Sequence, residues 1–144
     1  MWIKKIKIKN FRNYKEEEIN LEKNINIFYG ENAQGKTNII EAIFLCSLGK
    51  SFRAKKDIEM IKLNEENAIV EIEYEKSDRD GKIKIELGNK KNIYLNGIKI
   101  KKLSELLGNL NIVIFHLYVL LLFALNIYFF AQLFLNINLK YAYN

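Results

Sequence analysis

The chain has 144 residues, which is enough for one domain with a hydrophobic core and too few for two domains of ordinary size. Lys and Arg outnumber Asp and Glu by 23 to 17, and the formal charge of +6 favours a polyanionic partner such as nucleic acid. A single cysteine, Cys46, excludes an internal disulfide, and the N-terminus lacks the apolar stretch of a signal peptide. We therefore expect a cytoplasmic protein, with Cys46 in its core.

The first third of the chain predicts strands, a glycine loop and a helix. Ile and Lys alternate within residues 2–10, which is the period of a strand with one wet face, and Ile19 and Leu21 indicate a second short strand after the acidic run 16–18. Residues 24–29 carry Ile25, Ile27 and Phe28 directly into Gly30, so we predict a strand there. Residues 37–48 place apolar side chains at helical spacing, which predicts an amphipathic helix.

The middle of the chain predicts an antiparallel sheet. Residues 68–74 and 82–87 alternate again and are separated by a polar turn at 77–81. Asn96-Gly97 lies between short apolar runs at 93–95 and 98–100, which is a strong hairpin signal. We expect a short helix at 103–107 and a last apolar strand at 111–115.

The sequence GENAQGKT fits the phosphate-binding pattern G-x-x-x-x-G-K-[ST] at every fixed position, with an apolar strand predicted before it and a helix after it. Such a loop turns successive backbone N–H groups toward phosphate oxygens, which requires glycine, and the N-terminus of the next helix adds its positive dipole end. The lysine would reach the β- and γ-phosphates and the threonine hydroxyl would ligate Mg²⁺. The predicted ATP·Mg²⁺ site consists of Gly30, Glu31, Asn32, Ala33, Gln34, Gly35, Lys36 and Thr37, with Thr37 as the metal ligand.

Four stretches of the chain resemble the RecF family, whose relatives are the SMC and ABC-type ATPases. They are IKIKNFRNY, INIFYGENAQGKTNIIEAIF, LGKSFRAKKDIEMIK and LNG, and together they cover about residues 1–115. The resemblance implies an α/β fold, the N-terminal lobe of a P-loop ABC-type ATPase head with an antiparallel β-subdomain. It also implies recognition of single-strand/duplex DNA junctions in gap repair, replication restart and the SOS response, by heads that dimerise around ATP.

The resemblance also implies roles for residues outside the loop. Arg12 and Asn13 match a turn that lies near the nucleotide in such ATPases, although a solvated turn is the alternative. Lys50, Ser51 and Arg53 match a segment that would contact DNA or nucleotide, although a basic loop can also be plain wet surface. The signature segment and the acidic Walker B strand of the family have no counterpart in this chain, so we do not expect it to hydrolyse ATP, and homodimerisation of this fragment is doubtful.

The composition of the chain changes near Phe115. Residues 106–139 contain no Asp, Glu, Lys or Arg, and the resemblance ends at about the same place. We therefore expect a P-loop lobe at 1–115 and an aberrant apolar tail at 116–144, translated out of frame. The alternative is a transmembrane helix near 113–135 in a small membrane-anchored P-loop protein; a third is an unrelated ATP or GTP sensor, with GTP disfavoured because no NKxD motif is present. His116 has no plausible metal partners in this run.

Overall fold

The computed structural model describes residues 1–31 and 34–114, and the fold belongs to one compact unit, Met1–Ile112. Its six strands form one antiparallel sheet in the order β2-β1-β3-β4-β5-β6. The strands are β1 (Trp2–Phe11), β2 (Tyr14–Asn20), β3 (Ala68–Lys76), β4 (Arg79–Leu87), β5 (Asn92–Leu95) and β6 (Ile98–Lys99). One α-helix, α1 (Lys36–Leu48), and two 3₁₀ helices, Asp57–Met60 and Leu103–Glu105, complete the described elements.

The core lies between one face of the sheet and α1. Antiparallel register aligns buried apolar side chains in rows across the sheet, such as Ile6 beside Ile72 beside Ile83. Ala42 and Leu45 of α1 are fully buried in the same cluster. This burial explains the alternation seen in the sequence, because every second residue of a strand points to the same face.

The opposite face of the sheet carries alternating rows of lysine and glutamate. Lys5 and Lys7 of β1 both pair with Glu18 of β2, and Lys82 of β4 pairs with Glu71 of β3. These pairs correct the prediction for β2: the acidic run does not precede the strand but lies within it. Glutamate is a poor strand former, yet a lysine on the neighbouring strand compensates for it here.

Both predicted β-hairpins in the middle of the chain are present. The hairpin at Asn96-Gly97 is confirmed, with φ of 49° and 82°, as two-residue turns of this type require. The other turn is shorter than predicted, because Ser77 and Asp78 alone make it and Gly81 already belongs to β4. The Tyr74 ring lies across Gly81, where a Cβ would be 2.3 Å from the ring.

The predicted strand at 24–29 is wrong for the described part of the chain. These residues belong to none of the described strands, and Ile25, Ile27 and Tyr29 are 81%, 77% and 90% exposed. Phe28 packs partly against the core, while the other three apolar side chains of the segment face outward. An extended segment becomes a strand only when a neighbour pairs with its backbone, and none of the described residues does so.

Two predictions near residue 110 also need correction. The helix expected at 103–107 is the shorter 3₁₀ helix Leu103–Glu105, and residues 111–114 are not in a strand. Phe115, His116 and the expected tail lie outside the described residues, as do Asn32 and Ala33 of the glycine loop. Between residues 1 and 114, the described helices include none that is long and apolar enough to cross a bilayer.

Candidate functional site

The glycine loop leads into α1 as its sequence predicts. Gly30 and Gly35 have φ of 137° and 106°, values that residues with a side chain rarely adopt. Gly35 is the N-cap of α1, and no described side chain caps the helix there. The first turn of this 13-residue helix contains no acidic residue, so its N–H groups and positive dipole end remain suited to an anion.

Gly35 is also required by its surroundings. A Cβ at this position would lie 2.8 Å from the Tyr14 hydroxyl and 2.9 Å from Asn13 Oδ1. Asn13 Oδ1 in turn accepts a hydrogen bond from Asn38 Nδ2 at 2.6 Å. The turn between β1 and β2 therefore packs directly against the start of α1, with Asn13 beside Gly35.

Lys36 reaches back over the loop from the first residue of α1. Its ammonium group donates to the carbonyl oxygens of Gly30 at 2.9 Å and Glu31 at 2.5 Å. The side chain thus spans the loop from its end to its beginning and holds a positive charge at its mouth. Thr37 is exposed beside it. A cation, a helix N-terminus and two glycines with positive φ together fit a nucleoside triphosphate, and the Thr37 hydroxyl is a suitable ligand for Mg²⁺.

A buried carboxylate lies one turn further along α1. The Glu41 side chain has no exposed surface. Arg12 binds it in a bidentate manner, with Nε donating to Oε2 at 2.9 Å and Nη2 to Oε1 at 2.6 Å. Arg53 Nη2 donates to Oε2 at 2.7 Å, and Ser51 Oγ donates to Oε1. The turn after β1, helix α1 and the segment that follows α1 thus meet at this one group.

The two arginines around Glu41 are held differently. Arg12 has φ of 55° and uses its third guanidinium nitrogen, Nη1, to donate to the carbonyl of Glu59 at 2.6 Å. Its side chain is only 20% exposed. Arg53 is fixed through Nη2 alone, to Glu41 and to Asn38 Oδ1 at 2.7 Å, and is 39% exposed. Arg12 is therefore mainly a structural clamp, whereas Arg53 keeps one edge of its guanidinium toward solvent.

Electrostatics keep Glu41 ionised. Burial by itself would raise the pKa of the Glu41 carboxyl. Hydrogen bonds from Arg12 and Ser51 and the nearby Arg53 charge lower it by more than burial raises it, so the pKa lies below its ordinary value. With two guanidinium groups around one carboxylate, the cluster keeps a net positive charge close to the glycine loop.

Sequence reasoning found most of this site but not its centre. Arg12, Asn13, Ser51 and Arg53 converge near the glycine loop, while Lys50 is exposed beyond Gly49 at the end of α1. Glu41 was missed. The available signal is that Glu41 is the single charged residue in residues 37–49, because the only other charged residue of α1 is Lys36 at its first position.

Of the two remaining candidate residues, Cys46 lies within the described part of the chain and His116 lies outside it. Cys46 is fully buried, as expected, and burial raises the pKa of its thiol. It is therefore a core residue and unsuited to thiolate chemistry. His116 is not among the described residues. Within residues 1–31 and 34–114, no group of three His, Cys, Asp or Glu side chains is arranged to hold a metal.

The chain is similar to a known protein family and to curated proteins. The AAA domain family model matches residues 5–126. The DNA replication and repair protein RecF of Clostridium acetobutylicum is 50% identical over 117 residues, which is 80% of this chain and 32% of that protein. The chain thus spans about a third of the length of the curated relatives it matches.

Solved structures show the same relationship. The structure described as the recombination mediator protein RecF-ATP in the RecFOR pathway is 38% identical, with a TM-score of 0.75 over 80% of this chain and 32% of that one. An SMC ATPase, from work on ATP-driven dimerization and DNA stimulated activation, is 28% identical, with a TM-score of 0.66 over 74% of this chain and 76% of that one. The predicted fold class, the N-terminal lobe of a P-loop ATPase head, is therefore confirmed. The chain belongs to the AAA domain family, and it resembles the N-terminal portion of RecF proteins.

Proposed function

We propose that this chain is the ATP-binding N-terminal portion of a RecF-type DNA repair and recombination protein. The observation that carries the proposal is the glycine loop, where the Lys36 ammonium spans from the start of α1 to the carbonyls of Gly30 and Glu31. A nucleoside triphosphate carries several negative charges, and Lys36 and the N-terminus of α1 are the groups that would bind its phosphates.

We assign phosphate binding, Mg²⁺ ligation and support of the loop to different residues. Lys36 would bind the terminal phosphates, and Thr37 would ligate Mg²⁺ bound with ATP. Asn13 supports the loop through its contact with Gly35, and Arg12 fixes the turn that carries Asn13 by pairing with Glu41. Arg53 is the second candidate for phosphate contact, because it is held beside the first turn of α1 with one edge free.

This chain spans 32% of its RecF relative, and the next part of the proposal concerns a RecF-type protein of that full length. By its relatives, we assign to the full-length protein the recognition of single-strand/duplex DNA junctions in gap repair, replication restart and the SOS response. ATP-dependent pairing of two heads in the cytoplasm belongs to the same proposal. Phosphoryl transfer needs a carboxylate that orders Mg²⁺ and the attacking water. In the family the Walker B strand carries this carboxylate, and the sequence of this chain offers no counterpart, so we expect it to bind ATP without steady hydrolysis.

Titration of the full chain with a fluorescent ATP analogue in the presence of Mg²⁺ tests the proposal. Lys36→Ala should weaken binding tenfold or more, about 1.5 to 3 kcal/mol, because a charge-assisted contact to the phosphates is lost. Lys9→Ala is the matched control, since Lys9 is exposed on β1 and its loss changes the net charge equally. Equal affinity of the Lys36→Ala variant and the wild-type chain would refute the proposal.

A further inference from the structure

The sheet has two edges, and the sequence of each edge opposes pairing with another strand. β2 forms one edge and carries Glu16, Glu17 and Glu18 in succession. β6 forms the other edge, is only two residues long and ends on Lys99. Short edge strands and charged edge residues both prevent edge-to-edge association, because a second copy of the same edge would bring like charges together.

Residues 24–29 lack this protection. The segment reads Asn-Ile-Asn-Ile-Phe-Tyr and contains no charged side chain. Ile25, Ile27 and Tyr29 are largely exposed, whereas Phe28 packs partly against the core. In the part of the chain that the structure describes, no other backbone group forms a hydrogen bond with the backbone of this segment. Backbone N–H and C=O groups beside exposed apolar side chains are a template on which a further strand can pair.

We propose that residues 23–31 pair with the same residues of a second copy of this chain, in an antiparallel two-stranded ladder centred on Ile27. Two identical segments in antiparallel pairing are related by a twofold axis, so each contact between different residues is made twice. The ladder contains no nucleotide and is distinct from the ATP-dependent pairing of two heads. Because the contact is small compared with stable interfaces, we expect a Kd on the order of 10 to 100 μM, and an open segment at concentrations well below it.

The segment is complementary to itself in this register. Ile27 of one copy lies opposite Ile27 of the other, and Ile25 lies opposite Tyr29, which is a β-branched and aromatic pair of the kind that stabilises sheets. At each end of the ladder Lys23 lies opposite Glu31, so opposite charges meet twice. Both residues are exposed, and neither forms an ion pair with another described residue.

Neighbouring registers lose these charge pairs. A ladder centred one residue earlier places Lys23 opposite Tyr29, and a ladder centred one residue later places Glu31 opposite Ile25. Each of these registers leaves a charge beside an apolar side chain instead of beside its opposite charge. The charges at the two ends therefore specify the register centred on Ile27, while the apolar side chains between them supply the contact.

Sedimentation velocity of the full chain, at about 1 to 300 μM and with or without ATP·Mg²⁺, tests the proposal. The wild-type chain should dimerise with rising concentration, to the same extent in both conditions. Ile27→Lys should weaken dimerisation about tenfold or more, because it sets two like charges against each other at the centre of the ladder. Ile98→Lys on β6 is the matched control, since Ile98 is also exposed, and it should dimerise as the wild type does. Circular dichroism melts confirm that both variants fold.

Cysteine cross-linking tests the register. Facing Cα atoms of an antiparallel pair are about 4.5 to 5.5 Å apart, which is within disulfide range, so Ile27→Cys should give a linked dimer in oxidised glutathione. Ile25→Cys should not link to itself, because its two copies would lie roughly 13 Å apart along the ladder. It should link to Tyr29→Cys when the two variants are mixed. The native Cys46 is buried and does not compete.

Four results would overturn the proposal. The first is a monomer at every concentration, and the second is a dimer that forms only with ATP·Mg²⁺, which would belong to the pairing of heads around nucleotide. The third is a dimer that Ile27→Lys leaves unchanged, since the contact would then lie elsewhere on the chain. The fourth is equal cross-linking of Ile25→Cys and Ile27→Cys, which no single antiparallel register produces.

Discussion

The guanidinium of Arg12 and the carboxylate of Glu41 form a bidentate ion pair inside the protein, with Nε–Oε2 at 2.9 Å and Nη2–Oε1 at 2.6 Å. The pair joins the turn after β1 to the second turn of α1. Because Asn13 of the same turn packs on Gly35, the pair also fixes the floor of the phosphate loop. A structural contact and the candidate nucleotide site are thus directly connected.

Glu41→Gln should destabilise the protein by about 2 to 4 kcal/mol, as expected when one member of a buried charge pair is removed. The amide keeps the volume of the side chain but cannot accept from both arginines and Ser51. The partial exposure of Arg53 places the loss below that of a fully buried pair. Urea unfolding measures the change. Glu16→Gln, at an exposed position of β2, is the control and should change stability by less than about 0.5 kcal/mol.

The effect of Glu41→Gln should depend on pH in one direction. Burial opposes ionisation of Glu41, but hydrogen bonds from Arg12 and Ser51 outweigh it and the pKa of the folded state is lowered. A group with a lowered pKa stabilises the fold above its unfolded pKa, about 4.3 for glutamate, and loses this stabilisation as pH falls through the folded value. The stability difference between wild type and variant should therefore be full at pH 7 and shrink below about pH 4. A difference that stays constant from pH 7 to pH 3 would contradict the role assigned to the charge.

The sequence predicts the parts of this fold that depend on local pattern. Alternation gave β3 and β4, and Asn96-Gly97 gave its turn, because strand faces and turn backbone angles are set by neighbouring residues. The glycine loop belongs to the same class. Residues 24–29 carry the pattern of a strand, but a strand also needs a neighbour, which no local pattern reveals. Glu41 was missed for a similar reason: its two arginines come from other segments.

Gly35→Ala should abolish detectable ATP binding and destabilise the chain by more than about 1 kcal/mol, the usual cost of a left-handed residue with a side chain. The added Cβ would lie within 3 Å of Tyr14 and Asn13, so the turn after β1 must move away from α1. Gly97→Ala separates the two causes, since φ there is also positive, 82°, but nothing lies within 4 Å. Chemical denaturation and ATP titration of both variants measure this. Similar behaviour of the two variants would mean that the packing around Gly35 is unimportant.

Chymotrypsin should cut this chain early at Tyr29, and ATP·Mg²⁺ should slow the cut. Tyr29 is 90% exposed on a segment whose backbone pairs with no described strand, so a protease can bind it in extended form. Gly30 follows immediately, and a nucleotide held by the loop would restrain the segment and obstruct access. Tyr94 provides an internal control, because it lies in β5, paired with β4 on one side and β6 on the other. Mass spectrometry of timed digests identifies both sites. Cleavage at Tyr94 before Tyr29 would contradict the exposure of residues 24–29, and an unchanged rate at Tyr29 with saturating ATP·Mg²⁺ would place the nucleotide away from Gly30.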